Sequence, residues 1–183
     1  MTATRLRIFD ETNPDTPRVV SSDHAEIARL LGERGVRFER WGTRPEIKPG
    51  DAPEQVIAAY RPEIDRLMTE QGYQAVDVVS LNSDHPQKDE FRRKFLDEHT
   101  HAEDEVRFFV AGAGLFTLHL EPEVCEVLCT AGDLIGVAAG PRHWFDMGPN
   151  PHFVAVRLFT NPAGWVANFT GTDLAARFPR LAN

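Results

Sequence analysis

Cysteine is nearly missing from this 183-residue chain. It occurs only at Cys125 and Cys129, which excludes a disulfide framework and fits a reducing cytosol. No run of about 18 apolar residues occurs, so no helix long enough to cross a bilayer is expected. The opening MTATRLRIFDETNP has no apolar stretch and carries acids early. It does not read as a signal peptide, and a cytoplasmic location is expected. Basic residues are the minority charge, with 20 Lys and Arg against 28 Asp and Glu for a net −8. That balance removes any electrostatic reason to bind nucleic acid or an anionic membrane surface. Internal repeats and low-complexity tracts are absent too. What remains is a single domain long enough to bury a real core, since a chain of ~150 residues hides roughly 70% of its unfolded surface.

The first half of the chain reads as mixed. Leu6 to Phe9 is a short strand candidate, followed by a Pro-rich turn. Ser22 is expected to cap a helix running to about Arg34, with Ile27, Leu30 and Leu31 as its apolar stripe and Gly35 at its end. Val36 to Trp41 alternates as a strand does. Helices are expected near Gln55–Tyr60 and again from Pro62 to Gly72. The run YQAVDVVSL is a strand, and a helix follows Pro86 with Phe91 and Phe95 one turn apart. From His99 onward the texture changes. Short runs rich in Val, Phe, Leu and Ile alternate with glycine-containing turns: EVRFFV, AGAG, LFTLHLE, PEV, CEVLCT, AGD, LIGVAAG, PRHWFDMG, PN, PHFVAVRLF. That spacing suggests a β-sandwich or barrel. The chain is expected to be mainly β (α+β), with the N-terminal helices packed outside. One domain, 1–183, would comprise a mixed part to about 90, a metal-binding barrel over about 91–165 and a C-terminal loop over 166–183.

Seven histidines are present, and three of them fall in an informative spacing. His99 and His101, two apart on a strand, face the same way. A turn over Ala102, Glu103 and Asp104 would bring Glu105 beside them. Two imidazoles and a carboxylate suit a borderline divalent metal. Gly112 follows seven positions after Glu105, at an expected tight turn. Gly132 and Gly140 then precede His143, which would return from a distant strand as a fourth ligand.

These two blocks resemble the paired motifs of the cupin superfamily, whose fold is a double-stranded β-helix or jelly-roll barrel. Arg93 stands where the first motif begins with Gly. Ala138 and Met147 replace the Pro and Asn of the second. The longer strings KFLDEHTHAEDEVRFFVAGAGLFTLH and RHWFDMG, with YQAVDVVSL and VRLFTNPAGWVA, resemble the acireductone dioxygenase family over most of the chain. That resemblance implies one Fe(II) or Ni(II) held by His99, His101, Glu105 and His143. It implies a dioxygenase of methionine salvage acting on 1,2-dihydroxy-5-(methylthio)pent-1-en-3-one and O2. The products would be 4-methylthio-2-oxobutanoate and formate with iron, or 3-methylthiopropanoate, formate and CO with nickel. Bacterial relatives imply a monomer.

Arg107, two residues after Glu105 on the same strand, should share its face. A guanidinium inside a β core needs an anion, and in the family the matching residue favours the substrate dianion. Arg157, inside the apolar VAVRLF, reads the same way. Phe95, Phe145 and Trp165 are pocket-wall candidates for an apolar substrate tail. Glu98 and Asp104 flank the ligands as groups that could orient a histidine or assist catalysis. His24, His85, His119 and His152 read as uninvolved, and Cys125 and Cys129 as packing residues. The alternatives are another cupin dioxygenase acting on an enol, or a cupin that binds a small molecule or metal without turnover. Non-catalytic cupins often lose a ligand, whereas all four positions are filled here.

Overall fold

A computed structural model describes residues 3–102, 104–163 and 165–182. Among these residues, eleven strands form one hydrogen-bonded network, and five helices lie against it. The strands are β1 (Arg5–Asp10), β2 (Val19–Ser21), β3 (Arg37–Arg40), β4 (Ala75–Leu81), β5 (His99–Thr100), β6 (Glu105–Leu120), β7 (Glu123–Thr130), β8 (Asp133–Val137), β9 (Arg142–Asp146), β10 (His152–Phe159) and β11 (Asn168–Phe169). The helices are α1 (His24–Gly32), α2 (Pro53–Ala59), α3 (Arg61–Gln71), α4 (Lys88–Leu96) and α5 (Leu174–Arg177). Among the described residues, no helix is long and apolar enough to cross a membrane.

The organising element is β6, which runs unbroken for 16 residues. Its first half lies between β8 and β10, and its second half between β7 and β9. One strand therefore serves two sheets and closes the barrel. The expected turn at AGAG is not a turn. The segment is the bend within β6, where the register against β10 shifts and Val110 is left without a partner. Gly112 makes the bend possible. Its φ is +67°, and a Cβ there would lie 1.8 Å from the His152 carbonyl oxygen. Glycine thus marks a bulge in one long strand rather than a boundary between two.

Alternation along β6 sorts its side chains. Val106, Phe108 and Val110 point outward to a cluster with Tyr60, Ile64 and Leu67 of the α2–α3 region. Phe109, Phe116 and Leu118 point into the barrel with Phe145 and Phe153. Strand β10 repeats the pattern, with Val154, Val156 and Leu158 outward. Burying each such outward side chain under the helices contributes about 1.5–3 kcal/mol, which fixes the face on which Glu105 and Arg107 must lie. A third cluster joins Phe9 and Trp144 to Leu174 and Phe178, tying down the C-terminal segment.

The N-terminal part differs from expectation in two respects. The cap of α1 is Asp23, whose carboxylate accepts the Glu26 N–H at 2.8 Å, rather than Ser22. The neighbouring Ser21 Oγ accepts the Asp23 N–H instead. More importantly, the first 90 residues do not all lie outside the barrel. Strand β1 pairs with β7, β3 with β8, and β4 with β10. A division near residue 90 therefore cuts across one sheet. Exposed backbone on β7, β8 and β10 recruits these early strands as partners.

Candidate metal centre

Pairing of short strands assembles three imidazoles. His99 on β5 stands opposite His143 on β9, and β9 is held in place by β6 through the pair Leu118 and His143. His101 follows β5 by one residue. The rings sit with centroids 5.1 Å (His99–His101), 4.6 Å (His99–His143) and 4.9 Å (His101–His143) apart. Their candidate ligand atoms all lie within 4.8 Å of one another.

Each ring is oriented by a backbone carbonyl. The Nδ1 atoms contact the oxygens of Asp97 at 2.8 Å (His99), Val166 at 2.7 Å (His101) and Pro141 at 3.0 Å (His143). A carbonyl oxygen only accepts, so each Nδ1 carries a proton, and in a neutral ring the lone pair is then on Nε2. All three Nε2 atoms are buried and have no hydrogen-bond partner. Three converging, unpartnered lone pairs with their opposite nitrogens fixed by carbonyls form the usual frame of a metal-binding histidine set.

Glu105 opens β6 beside them, with Oε2 3.0 Å from His101 Nε2. The two are close but not hydrogen-bonded, and Oε2 is otherwise unpartnered. Its Oε1 accepts the Arg107 Nε–H at 2.7 Å. Burial alone would raise the Glu105 pKa. The Arg107 charge and the nearby imidazoles outweigh it and hold the carboxyl well below its usual range. Burial drives the imidazoles the other way, to about 4 for His99 and about 3 for His143. Burial thus favours the neutral form of His99 and His143 beside an ionised Glu105, and the cluster offers three imidazoles and a carboxylate. That donor set suits iron, nickel, manganese or zinc.

Around this cluster lie two buried guanidiniums. Arg107 and Arg157 are direct register partners across β6 and β10. Burial and the Arg157 charge pull the Arg107 pKa down, against the pull of Glu105 and Asp77. Arg107 lies 4.9 Å from the Phe116 ring centre and 5.0 Å from that of Phe145. Arg157 lies 5.3 Å from that of Phe95 and 5.8 Å from that of Trp165. Phe95 and Trp165 meet edge to face at 5.1 Å, and Trp165 reaches His99 and His101 at 5.8 Å each. Arg107 Nη2, Arg157 Nη1 and Trp165 Nε1 are buried donors without partners.

The flanking acids are placed differently. Glu98 is buried but bonds away from the cluster, to His119 Nδ1 at 2.9 Å and Thr170 Oγ1 at 2.8 Å. Asp104 is exposed and accepts the Ala139 N–H at 2.8 Å, tying down the β8–β9 loop. Glu103 of the expected turn lies outside the described residues. Three further side chains around these groups make contacts that the sequence does not announce. Phe116 stacks on His143 at 5.4 Å. His119, read as uninvolved, sits between Glu98 and Glu11, its Nε2 2.8 Å from the latter. Asp77 accepts both Nε–H and Nη2–H of Arg157, at 2.8 and 2.7 Å. Only Asp77 left a signal, as a lone acid within the apolar run AVDVVSL.

Comparison with known proteins points in one direction. The model of the ARD/ARD′ family matches residues 5–167. An acireductone dioxygenase of Pseudomonas savastanoi pv. phaseolicola is 64% identical over 176 residues, covering 96% of this chain and 97% of that protein. One from Xanthomonas campestris pv. campestris is 57% identical over 178 residues, covering 97% and 95%. A solved acireductone dioxygenase from Bacillus anthracis, with a cadmium ion in its active centre, superposes with a TM-score of 0.77. It is 30% identical, and the match covers 92% of this chain and 99% of that one.

Proposed function

The chain belongs to the ARD/ARD′ family of acireductone dioxygenases, enzymes of cupin fold, and from that membership we propose the metal, substrate and residue roles that follow. His99, His101, Glu105 and His143 hold one Fe(II) or Ni(II). The observation that carries this is the trio of buried, unpartnered Nε2 atoms, each with its Nδ1 fixed by a carbonyl. When bound, the ion supplies a Lewis acid that orients an electron-rich enediolate and stabilises its charge.

The substrate is 1,2-dihydroxy-5-(methylthio)pent-1-en-3-one, reacting with O2 in methionine salvage. The iron-loaded protein releases 4-methylthio-2-oxobutanoate and formate. The nickel-loaded protein releases 3-methylthiopropanoate, formate and CO. The protein acts as a monomer in the cytoplasm.

Charge supports a dianion. Arg107 and Arg157 are balanced by Glu105 and Asp77, so a divalent ion leaves the site with a net charge of +2. Arg107 Nη2 donates to an oxyanion of the substrate from beside Glu105, and Arg157 Nη1 donates from the opposite strand. Both act in a dry setting, where a charge-assisted hydrogen bond counts for more than in water. Phe95, Phe145 and Trp165 wall the site against water and accept the apolar methylthioethyl tail. Glu98 acts through the strand that carries His99, and Asp104 through the β8–β9 loop; neither touches the reacting atoms.

The test is anaerobic preparation of the acireductone, followed by O2 addition with iron-loaded and nickel-loaded protein. Accelerated loss of the enediol absorbance with formate release is expected from both, and CO from the nickel form alone. Decay no faster than the uncatalysed rate with either metal overturns the proposal.

A further inference from the structure

Two arginines that face each other across a sheet, both nearly fully buried, should repel. Arg107 and Arg157 occupy that arrangement and keep it because each has its own carboxylate. The acid of Arg107 is Glu105, already committed to the metal cluster. The acid of Arg157 is Asp77, which has no other place in the site. Strand β4 pairs only with β10 among the described residues, so it is an edge strand. Asp77 stands directly opposite Arg157 on it, and its side chain is 43% exposed. It therefore sits at the rim, between solvent and the buried guanidinium.

We propose that Asp77 is a positioning residue: its two-point grip on Arg157 turns the free Nη1 of that guanidinium inward, beside Arg107 Nη2 and Trp165 Nε1, to receive a doubly ionised substrate. This rests on the enediolate reading of the substrate given above. The physical reason is the planar fork of arginine. Two parallel hydrogen bonds to one carboxylate fix the plane of the guanidinium as well as its place. With Nε and Nη2 engaged, Nη1 is the nitrogen left, and it is buried and unpartnered. Without the grip, a long cationic side chain beside a half-exposed rim swings toward water and away from a like charge.

A purely electrostatic role predicts the opposite outcome. Removing a carboxylate raises the positive charge of the site and should tighten the binding of a dianion. Positioning predicts that binding weakens. Asp77→Asn separates the two by sign, because the amide preserves shape but can accept from only one side of the fork.

The experiment uses nickel-loaded protein, with metal content measured by elemental analysis. Oxalate, an inert chelating dianion, is titrated and followed through Trp165 fluorescence, with Trp165→Phe as the optical control. Acireductone kinetics run in parallel. Asp77→Asn should retain its metal, bind oxalate about tenfold more weakly and raise KM about tenfold, with kcat reduced less than threefold. Asp77→Glu, which restores the charge and a fork, should recover most of the affinity. In an Arg157→Met background, Asp77→Asn should change oxalate affinity less than twofold. Affinity and KM equal to or tighter than wild type in Asp77→Asn overturn the proposal, as does an undiminished effect without Arg157. If the variants change oxalate binding as predicted but the wild type does not consume acireductone, the substrate reading falls and the role of Asp77 stands. If acireductone is consumed but Asp77→Asn is silent, the reverse holds.

Discussion

Acidifying the metal-stripped protein from pH 7 to pH 5 should destabilise it by about 4 kcal/mol, and two histidines should account for it. His99 and His143 are held neutral by burial, with pKa values of about 4 and about 3 against an ordinary 6.5. In the unfolded chain both rings bind a proton below pH 6.5. In the folded chain they do not until the pH reaches about 4 and about 3. Unfolding therefore takes up protons across that window, and stability falls as the pH falls. Each unit below 6.5 costs about 1.4 kcal/mol per ring, so 1.5 units and two rings give the stated figure. Glu105 acts in the same direction but only below 4.5, since its carboxyl is depressed. Glu126 has the opposite sign: burial raises its pKa, so acid relieves it. Thermal melts at pH 7, 6 and 5 read the effect. For a chain of this size it amounts to a fall on the order of 10 °C. The control is the double variant His99→Asn, His143→Asn, in which most of the pH dependence between 6.5 and 5 should vanish. The reasoning is refuted if the double variant keeps the wild-type slope, or if the wild type is flat over that range.

The remaining predictions concern single side chains and the ion. Glu105→Gln should lower bound iron or nickel measured by elemental analysis, because it replaces a charged donor of the cluster. Full occupancy would remove Glu105 from the ligand set. Arg107→Ala should keep its metal and reduce kcat/KM at least a hundredfold, with inert-dianion binding weakened in step. Gly114→Ala should cost about 1–3 kcal/mol in chemical denaturation, because the new Cβ would lie 2.3 Å from Phe145 Cζ. It should also alter KM by displacing that ring. Loading with nickel at a thousandfold excess over Kd should stabilise the fold by about 4 kcal/mol in thermal melts, and a chelator should reverse it.

The pairing of His99 with His101 was legible because spacing along a strand translates into facing, whereas the set of four with Glu105 and His143 is what the family resemblance implies. His99 and His101 lie two apart, and Arg107 repeats the two-residue step from Glu105 on β6. Short strands at regular spacing made a sandwich or barrel legible, and the family resemblance selected the barrel. What failed, failed for identifiable reasons. AGAG resembles a boundary because glycine marks both turns and bulges, and only the pairing of β6 with β10 on one side and β7 on the other distinguishes them. Ser22 is as plausible a cap as Asp23 in sequence, since serine and aspartate are near-equal caps; the Glu26 N–H selects Asp23. His119 looked partnerless because its partners, Glu98 and Glu11, are 21 and 108 residues away. The grip of Asp77 on Arg157 spans 80 residues and depends on strand register, which no local pattern encodes.

The unpartnered atoms connect stability to chemistry. A buried donor or acceptor without a partner costs about 1–3 kcal/mol, so a fold has reason to scatter or avoid them. Here seven of the eleven such side-chain atoms among the described residues, the Nε2 atoms of His99, His101 and His143, Glu105 Oε2, Arg107 Nη2, Arg157 Nη1 and Trp165 Nε1, belong to one region. They divide by chemistry into two sets. The imidazole nitrogens and the carboxylate oxygen offer lone pairs and call for a cation. The guanidinium and indole nitrogens offer protons and call for an anion. An apolar wall of Phe95, Phe116 and Phe145 adjoins both sets. A fold that carries electron donors and proton donors side by side, with water excluded from both, is arranged for a cation and an anion that meet. That holds even though the chain as a whole carries a net −8. The long-range field would oppose the anionic substrate proposed above, so its capture would depend on donors held within hydrogen-bonding reach, and on the residues that keep them aimed.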